Sequence, residues 1–233
     1  MTSKRKTASH PANSAMTVAQ INRVVSILKR EIRQWKVPVV GIIAQESRNP
    51  FLVLISTVLS LRTKDKTTEE ASERLFTMAR TPETMVKIPV EAIQKAIYPV
   101  GFYKTKAKTI HRICNDLIDR FQGKVPDNME DLLSLNGVGR KTANLVLTLG
   151  YNRYGICVDI HVHRISNRFG FIKTKNPDES EMRLREKLPK RHWKIYNDLL
   201  VTFGQNLCTP VSPFCSRCKL ISLCRKVGVN KIR

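Results

Sequence analysis

Along almost the whole chain apolar residues return every three or four positions, and no alternating apolar–polar run is long enough for a useful strand. A period near 3.6 buries one face of a helix, whereas a half-buried strand needs a period of two. The predicted class is therefore all-α. Val18, Ile21, Val25, Leu28, Ile32 and Trp35 form the first stripe, with Lys29, Arg30 and Arg33 outside it. Pro38 closes that helix, because its ring cannot continue the hydrogen-bond ladder. The same reasoning predicts helices from Pro50 to about Leu61 and, with Asp65 as cap, from there to about Met78. Pro82 and Pro89 punctuate two short helices. A longer one follows Gly101, with Ala107, Ile110, Cys114, Leu117 and Phe121 on one face, which makes Cys114 a core residue. Asp127 or Asn128 caps the next, to about Leu135. Others run from Arg140 to about Leu149, from an Asp159 cap to about Phe169, from Pro177–Ser180 onward, and after Pro189 to about Leu207. Trp35, Trp193 and Cys157 read as core.

Charge narrows the partner. Lys and Arg number 41 against 19 Asp and Glu, a net charge of +22. Such an excess attracts polyanions and releases counterions from a phosphate backbone, which points to nucleic acid ahead of a membrane surface. No stretch of about 18 apolar residues is present, so no membrane-spanning helix is expected. Residues 1–15 carry Lys4, Arg5 and Lys6 with no apolar run behind them. They read as a basic flexible tail rather than a secretory signal, and the protein is expected to be intracellular.

Between two helical stretches lies Leu135-Asn136-Gly137-Val138-Gly139-Arg140-Lys141. Gly137 and Gly139 permit positive φ and close backbone approach, and Val138 can plug back into the helix pair. The N–H groups opening the next helix, followed at once by Arg140 and Lys141, suit a phosphate. Such a hairpin grips a DNA backbone without reading its sequence; a plain helix–helix turn is the alternative.

Of six cysteines, four crowd the C-terminus as Cys208-x6-Cys215-x2-Cys218-x5-Cys224. In a chain with no secretory signal this suggests metal ligation rather than disulfides. Four soft sulfur ligands suit zinc or an iron–sulfur cluster. Structural zinc usually pairs two short knuckles; one C-x2-C with unequal flanking gaps favours a [4Fe–4S] cluster. From Lys173 onward there are 14 Lys or Arg and five Asp or Glu, so the C-terminal part, with Arg217, Lys219, Arg225 and Lys226 around the cysteines, is a candidate for facing phosphate.

At this point the sequence resembles the endonuclease III family of helix-hairpin-helix DNA glycosylases. LNGVGRKTANLVL (135–147) is similar to that family's hairpin, and VDIHVHRISNR (158–168) to its segment bearing the catalytic aspartate. PFLVLISTVLSLRTKD and GFYKTKAKTI resemble family helices, and the four-cysteine spacing matches. The resemblance covers roughly residues 45 to 225.

It implies that Lys141 is the nucleophile of a bifunctional glycosylase and AP lyase, and that Asp159 stabilises positive charge on the sugar or shuttles protons. A helix N-cap is the other role open to Asp159. An attacking amine must be partly deprotonated, and burial, the Arg140 charge and a helix N-terminus all push that way. The target base must leave the stack, so something must fill the gap. The resemblance puts wedge-like residues at Arg62 and Phe102, where family members often carry Gln and Leu. Asn136 likewise stands where proline is common. His161 and His163 are read as packing or phosphate contacts.

The implied architecture has two lobes: a bundle over 43–153 ending in the hairpin, and a second lobe from 16–42 plus 154–233 with the cysteine loop 208–224. The expected partner is double-stranded DNA with a damaged base or an abasic site, bound by a monomer. An oxidised pyrimidine is the expected substrate, with a mismatched thymine or uracil as a rival on the same fold. A non-catalytic, zinc-held DNA-binding module is the rival from another class.

Overall fold

A computed structural model describes residues 15–233; the basic tail proposed for 1–15 lies outside the described residues except for Ala15. Among the described residues twelve α-helices follow in order: α1 (Val18–Glu31), α2 (Val39–Ser47), α3 (Pro50–Ser60), α4 (Asp65–Met78), α5 (Pro82–Met85), α6 (Val90–Ile97), α7 (Tyr103–Phe121), α8 (Met129–Ser134), α9 (Arg140–Leu145), α10 (Ile160–Arg168), α11 (Pro177–Lys187) and α12 (Trp193–Asn206). Among the described residues there is no strand. None of the helices in the described residues is long and apolar enough to cross a membrane.

The helix starts follow local chemistry. Thr17 and Gln20 form a reciprocal capping box at α1, as Thr81 and Thr84 do at α5. Asn49, Asn128, Asp159 and Asn176 each accept hydrogen bonds from first-turn amides. Proline follows the cap at α3, α5 and α11, where its fixed φ suits the first helical position and its missing N–H costs nothing. Asp65 departs from expectation: it opens α4 as the first helical residue, and Lys64 occupies the cap position without a side-chain bond. Helix α2 was not foreseen. Its sequence VVGIIAQES is apolar for most of its length, so it shows no polar face for periodicity to detect.

The buried apolar side chains form two clusters. The first is built by α2 to α9, from Val39 to Leu147, and surrounds α3, where every residue from Phe51 to Leu59 is buried. The second unites α1 with the chain after α9, from Met16 to Leu28 and from Ile156 to Leu223. Cys114 lies in the first cluster; Cys157 is also buried. Trp35 and Trp193 pack only at the margin of the second cluster. α9 continues through a π-helical turn, Val146–Gly150, before the chain crosses to α10. The first turn of α9 carries Lys141, Asp159 caps α10, and the hairpin precedes α9.

Candidate active site

The hairpin is fixed from both sides. Gly137 has φ of +76°, a region that costs an L side chain energy. A Cβ there would stand 2.6 Å from Thr109 Cγ2 on α7. Val138 is buried in the first core, and its N–H donates to the Leu135 carbonyl at 3.2 Å. Gly139 caps α9 with extended backbone and open space where a side chain would be. Asn136 is exposed, and its N–H donates to Asp116 at 3.4 Å.

Asp159 divides its carboxylate between two tasks. Oδ1 accepts the backbone N–H groups of His161 at 2.8 Å and Val162 at 2.9 Å, which anchors it as the N-cap of α10. Oδ2 faces Lys141 Nζ at 3.7 Å. The Asp159 side chain is 9% exposed and that of Lys141 35% exposed, so the amine is reachable from outside while the carboxylate sits behind it. Both expected roles of Asp159, cap and charge partner, are thus geometrically available at once.

Arg140 is occupied elsewhere. Its Nε and Nη2 donate to the two carboxylate oxygens of Glu181 on α11 at 2.9 and 2.8 Å. Arg185 donates to the same carboxylate at 3.0 Å and reaches Asn144 Oδ1 of α9 at 3.1 Å. Despite its burial, these arginine hydrogen bonds, together with the Arg140 charge, hold the Glu181 carboxyl below the usual range. The cluster joins α9, from the first core, to α11, from the second. No local pattern hints at it, because Glu181 sits among Asp178, Glu179 and Glu186 and reads like them as a solvated helix acid. Asp198 on α12 was missed likewise. Burial, reinforced by the Asp159 charge, raises its carboxyl to about 6.

His161 and His163 take packing positions. The Nδ1 of His161 meets Arg164 Nη2 at 3.2 Å, and that of His163 meets Ser180 Oγ at 2.7 Å. Burial lowers both imidazoles below the ordinary histidine range, which favours neutral rings.

Arg62 and Phe102 stand together on the surface. Both have left-handed backbone, with φ of 53° and 59°. Phe102 is 62% exposed, and the Arg62 guanidinium lies 5.6 Å from its ring centroid.

The four C-terminal cysteines are free thiols that line one cavity together with Arg168, Phe169, Phe203 and Phe214. Burial pushes the Cys218 and Cys224 thiols up to about 11. Two arginines of α10 hold the loop that carries them. Arg164 Nη2 donates to the Cys208 carbonyl at 3.0 Å; Arg168 donates to the Thr209 carbonyl at 2.7 Å and to Cys208 Sγ at 3.4 Å. Among the described residues no three His, Cys, Asp or Glu side chains are grouped as for a single metal ion. Arg217, Lys219 and Lys226 are exposed beside the loop; Arg225 is partly buried.

A helix-hairpin-helix beside a lysine–aspartate pair, on an all-helical frame, defines a class of DNA-repair protein. Residues 55–190 match the profile of the HhH-GPD superfamily of base excision DNA repair proteins. Endonuclease III of Thermotoga maritima is 45% identical over 188 residues, 79% of this chain and 88% of that protein. The chloroplastic endonuclease III homolog 2 of Arabidopsis thaliana is 44% identical over 183 residues; this chain spans 47% of its length. A solved endonuclease III, trapped as a covalent intermediate with DNA in an estranged-adenine complex, superposes with a TM-score of 0.80 at 35% identity, covering 91% of this chain and 97% of that one. The chain belongs to the endonuclease III family, the DNA glycosylases and AP lyases of base excision repair.

Proposed function

We propose that Lys141 is the nucleophile and Asp159 its electrostatic partner in removing an oxidised pyrimidine, such as thymine glycol, from double-stranded DNA. The observation that carries this reading is the approach of Lys141 Nζ to Asp159 Oδ2, with the amine reachable and the carboxylate anchored by two backbone amides. The unprotonated amine donates its lone pair to the sugar C1′ as the bond from C1′ to the base nitrogen breaks, and the base leaves with a proton. The attached amine gives up a proton, its lone pair forms C1′=Nζ as the C1′–O4′ bond breaks, and O4′ takes that electron pair and a proton as a hydroxyl, leaving a Schiff base between Nζ and the ring-opened sugar. A proton then leaves C2′ and the 3′ phosphate departs by β-elimination, which nicks the strand; hydrolysis frees the lysine. Asp159 stabilises the positive charge that develops on the sugar and then on the iminium nitrogen.

The two cores correspond in this reading to two lobes, with the pair between them. Residues 137–139 of the hairpin and the Arg62–Phe102 pair contact the duplex. Arg140 follows them as a further contact to the duplex, its guanidinium oriented by the pair with Glu181. A single copy of the chain suffices, since both residues of the pair come from the same chain.

Residues Cys208, Cys215, Cys218 and Cys224 would hold a [4Fe–4S] cluster. The fit rests on the donor set: four unpaired thiols on one cavity wall, with Arg168, Leu220 N–H and Lys226 N–H each 3.4 Å from a sulfur and able to offset thiolate charge. When bound, the group supplies four sulfur–metal bonds that cross-link the C-terminal loop. Arg164 and Arg168 transmit that anchoring to α10, the helix that Asp159 caps.

Borohydride reduction during turnover tests the assignment. Wild-type protein should yield a covalent adduct with a thymine-glycol duplex, and Lys141→Gln should yield none while still binding DNA. Undiminished trapping in that variant removes Lys141 from the mechanism.

A further inference from the structure

Lys106 is a lysine turned inward. It sits on α7, is 7% exposed, and among the described residues its ammonium meets uncharged oxygens rather than a carboxylate. Its ammonium donates to the Leu59 carbonyl at 2.8 Å, to the Leu61 carbonyl at 2.5 Å and to Thr63 Oγ1 at 3.1 Å. Burial lowers it to about 8, so at neutral pH most molecules keep all three hydrogens. Three donors therefore meet three acceptors, all on the segment that ends α3 and carries Arg62.

The same hydroxyl ties in the second loop. Thr63 Oγ1 accepts the Gly101 N–H at 3.2 Å and donates to the Leu61 carbonyl at 3.2 Å. The loops also press together at Gly101, where a Cβ would lie 2.7 Å from the Arg62 carbonyl oxygen. Arg62 and Phe102 both adopt a left-handed backbone that side chains avoid in isolation. Such a conformation persists only where surrounding contacts over-determine it, and here those contacts converge on one ammonium and one hydroxyl.

We propose that Lys106, acting with Thr63, is the positioning residue of a two-part wedge, holding Arg62 and Phe102 side by side for insertion into a duplex from which a nucleotide has been extruded. This rests on the reading of Arg62 and Phe102 as the duplex-filling pair. Lys106 itself touches no DNA. Preorganisation matters because a wedge that must first order itself gives up part of the binding free energy needed to unstack the base.

The test separates work that needs the wedge from work that does not. Single-turnover base release from a thymine-glycol duplex requires extrusion; strand cleavage at an abasic site in single-stranded DNA does not. Lys106→Met should reduce the first at least tenfold and leave the second within twofold. Thr63→Val is the milder variant, should Lys106→Met fail to fold. It should reduce duplex excision about fivefold, and Thr63→Ser, which restores the hydroxyl, should recover it. A loss of both activities together, or of neither, overturns the proposal, as does failure of Thr63→Ser to rescue Thr63→Val. Phe102→Ala serves as the reference. If it keeps full duplex excision, the wedge reading fails and the role of Lys106 fails with it. If Phe102→Ala is impaired while the Lys106 and Thr63 variants are not, only the positioning role is lost.

Discussion

The two oxygens of Asp159 make cap and charge separable by substitution. Asp159→Asn retains an oxygen to accept the His161 and Val162 amides but removes the negative charge facing Lys141. Asp159→Ala removes both. A lost N-cap costs about 1 kcal/mol, and the loss of a favourable charge at the helix N-terminus about 0.5 kcal/mol. The Lys141–Asp159 contact adds little to stability, since the pair is 3.7 Å apart and the lysine is about a third exposed; such pairs contribute roughly 0–1 kcal/mol. For a chain of this size 1 kcal/mol corresponds to about 2–4 °C in melting temperature. The alanine variant should therefore melt about 3–6 °C below wild type and the asparagine variant within about 2 °C of it. Catalysis should order them differently. Both lose the carboxylate charge, and removing a preorganised electrostatic group from a reacting centre costs roughly a hundredfold or more in rate. Calorimetry paired with single-turnover excision of thymine glycol measures both. An asparagine variant that melts as low as the alanine variant, or that excises near the wild-type rate, would refute the division of labour.

Glu181→Ala should destabilise by about 3 kcal/mol, the lower range for breaking a buried ion pair, because Arg140 and Arg185 retain side-chain exposures of 38% and 29% and can turn to water; thermal unfolding checks this, and a drop under 2 °C contradicts it. Gly137→Ala should cost about 1–3 kcal/mol, since it combines a φ of +76° with the Thr109 clash, and should weaken binding to undamaged duplex in a fluorescence titration. Asp198 provides a pH test. Its folded carboxyl lies near 6, above an ordinary 3.8, so the folded state holds the extra proton between those values and stability falls as pH rises through that window. Asp198→Asn should remove the penalty and stabilise at pH 7 by about 1–2 kcal/mol after solvent screening, with little effect below pH 4; equal shifts at both pH values would exclude ionisation as the cause. Oxidative loss of the proposed cluster should lower the melting temperature and bleach a visible absorbance together, and a bleached protein with unchanged melting would deny the loop its cross-linking role.

The sequence by itself determined the helical class, nearly every helix start, and the grouping of four thiols in one loop. These are local matters: a period of 3.6, a cap beside its own first turn, and cysteines a few residues apart all act within one or two turns of chain. It failed at α2, whose apolar residues surround the helix and leave no period to see. Tertiary structure alone decided which charges meet. Arg140, read as a phosphate contact, binds Glu181 from 41 positions away, and Lys106 turns inward to a loop 43 to 47 positions back. It likewise placed Lys141 Nζ against Asp159 Oδ2. An ion pair or a buried ammonium is set by distance and desolvation between segments remote in sequence, and no local pattern records either.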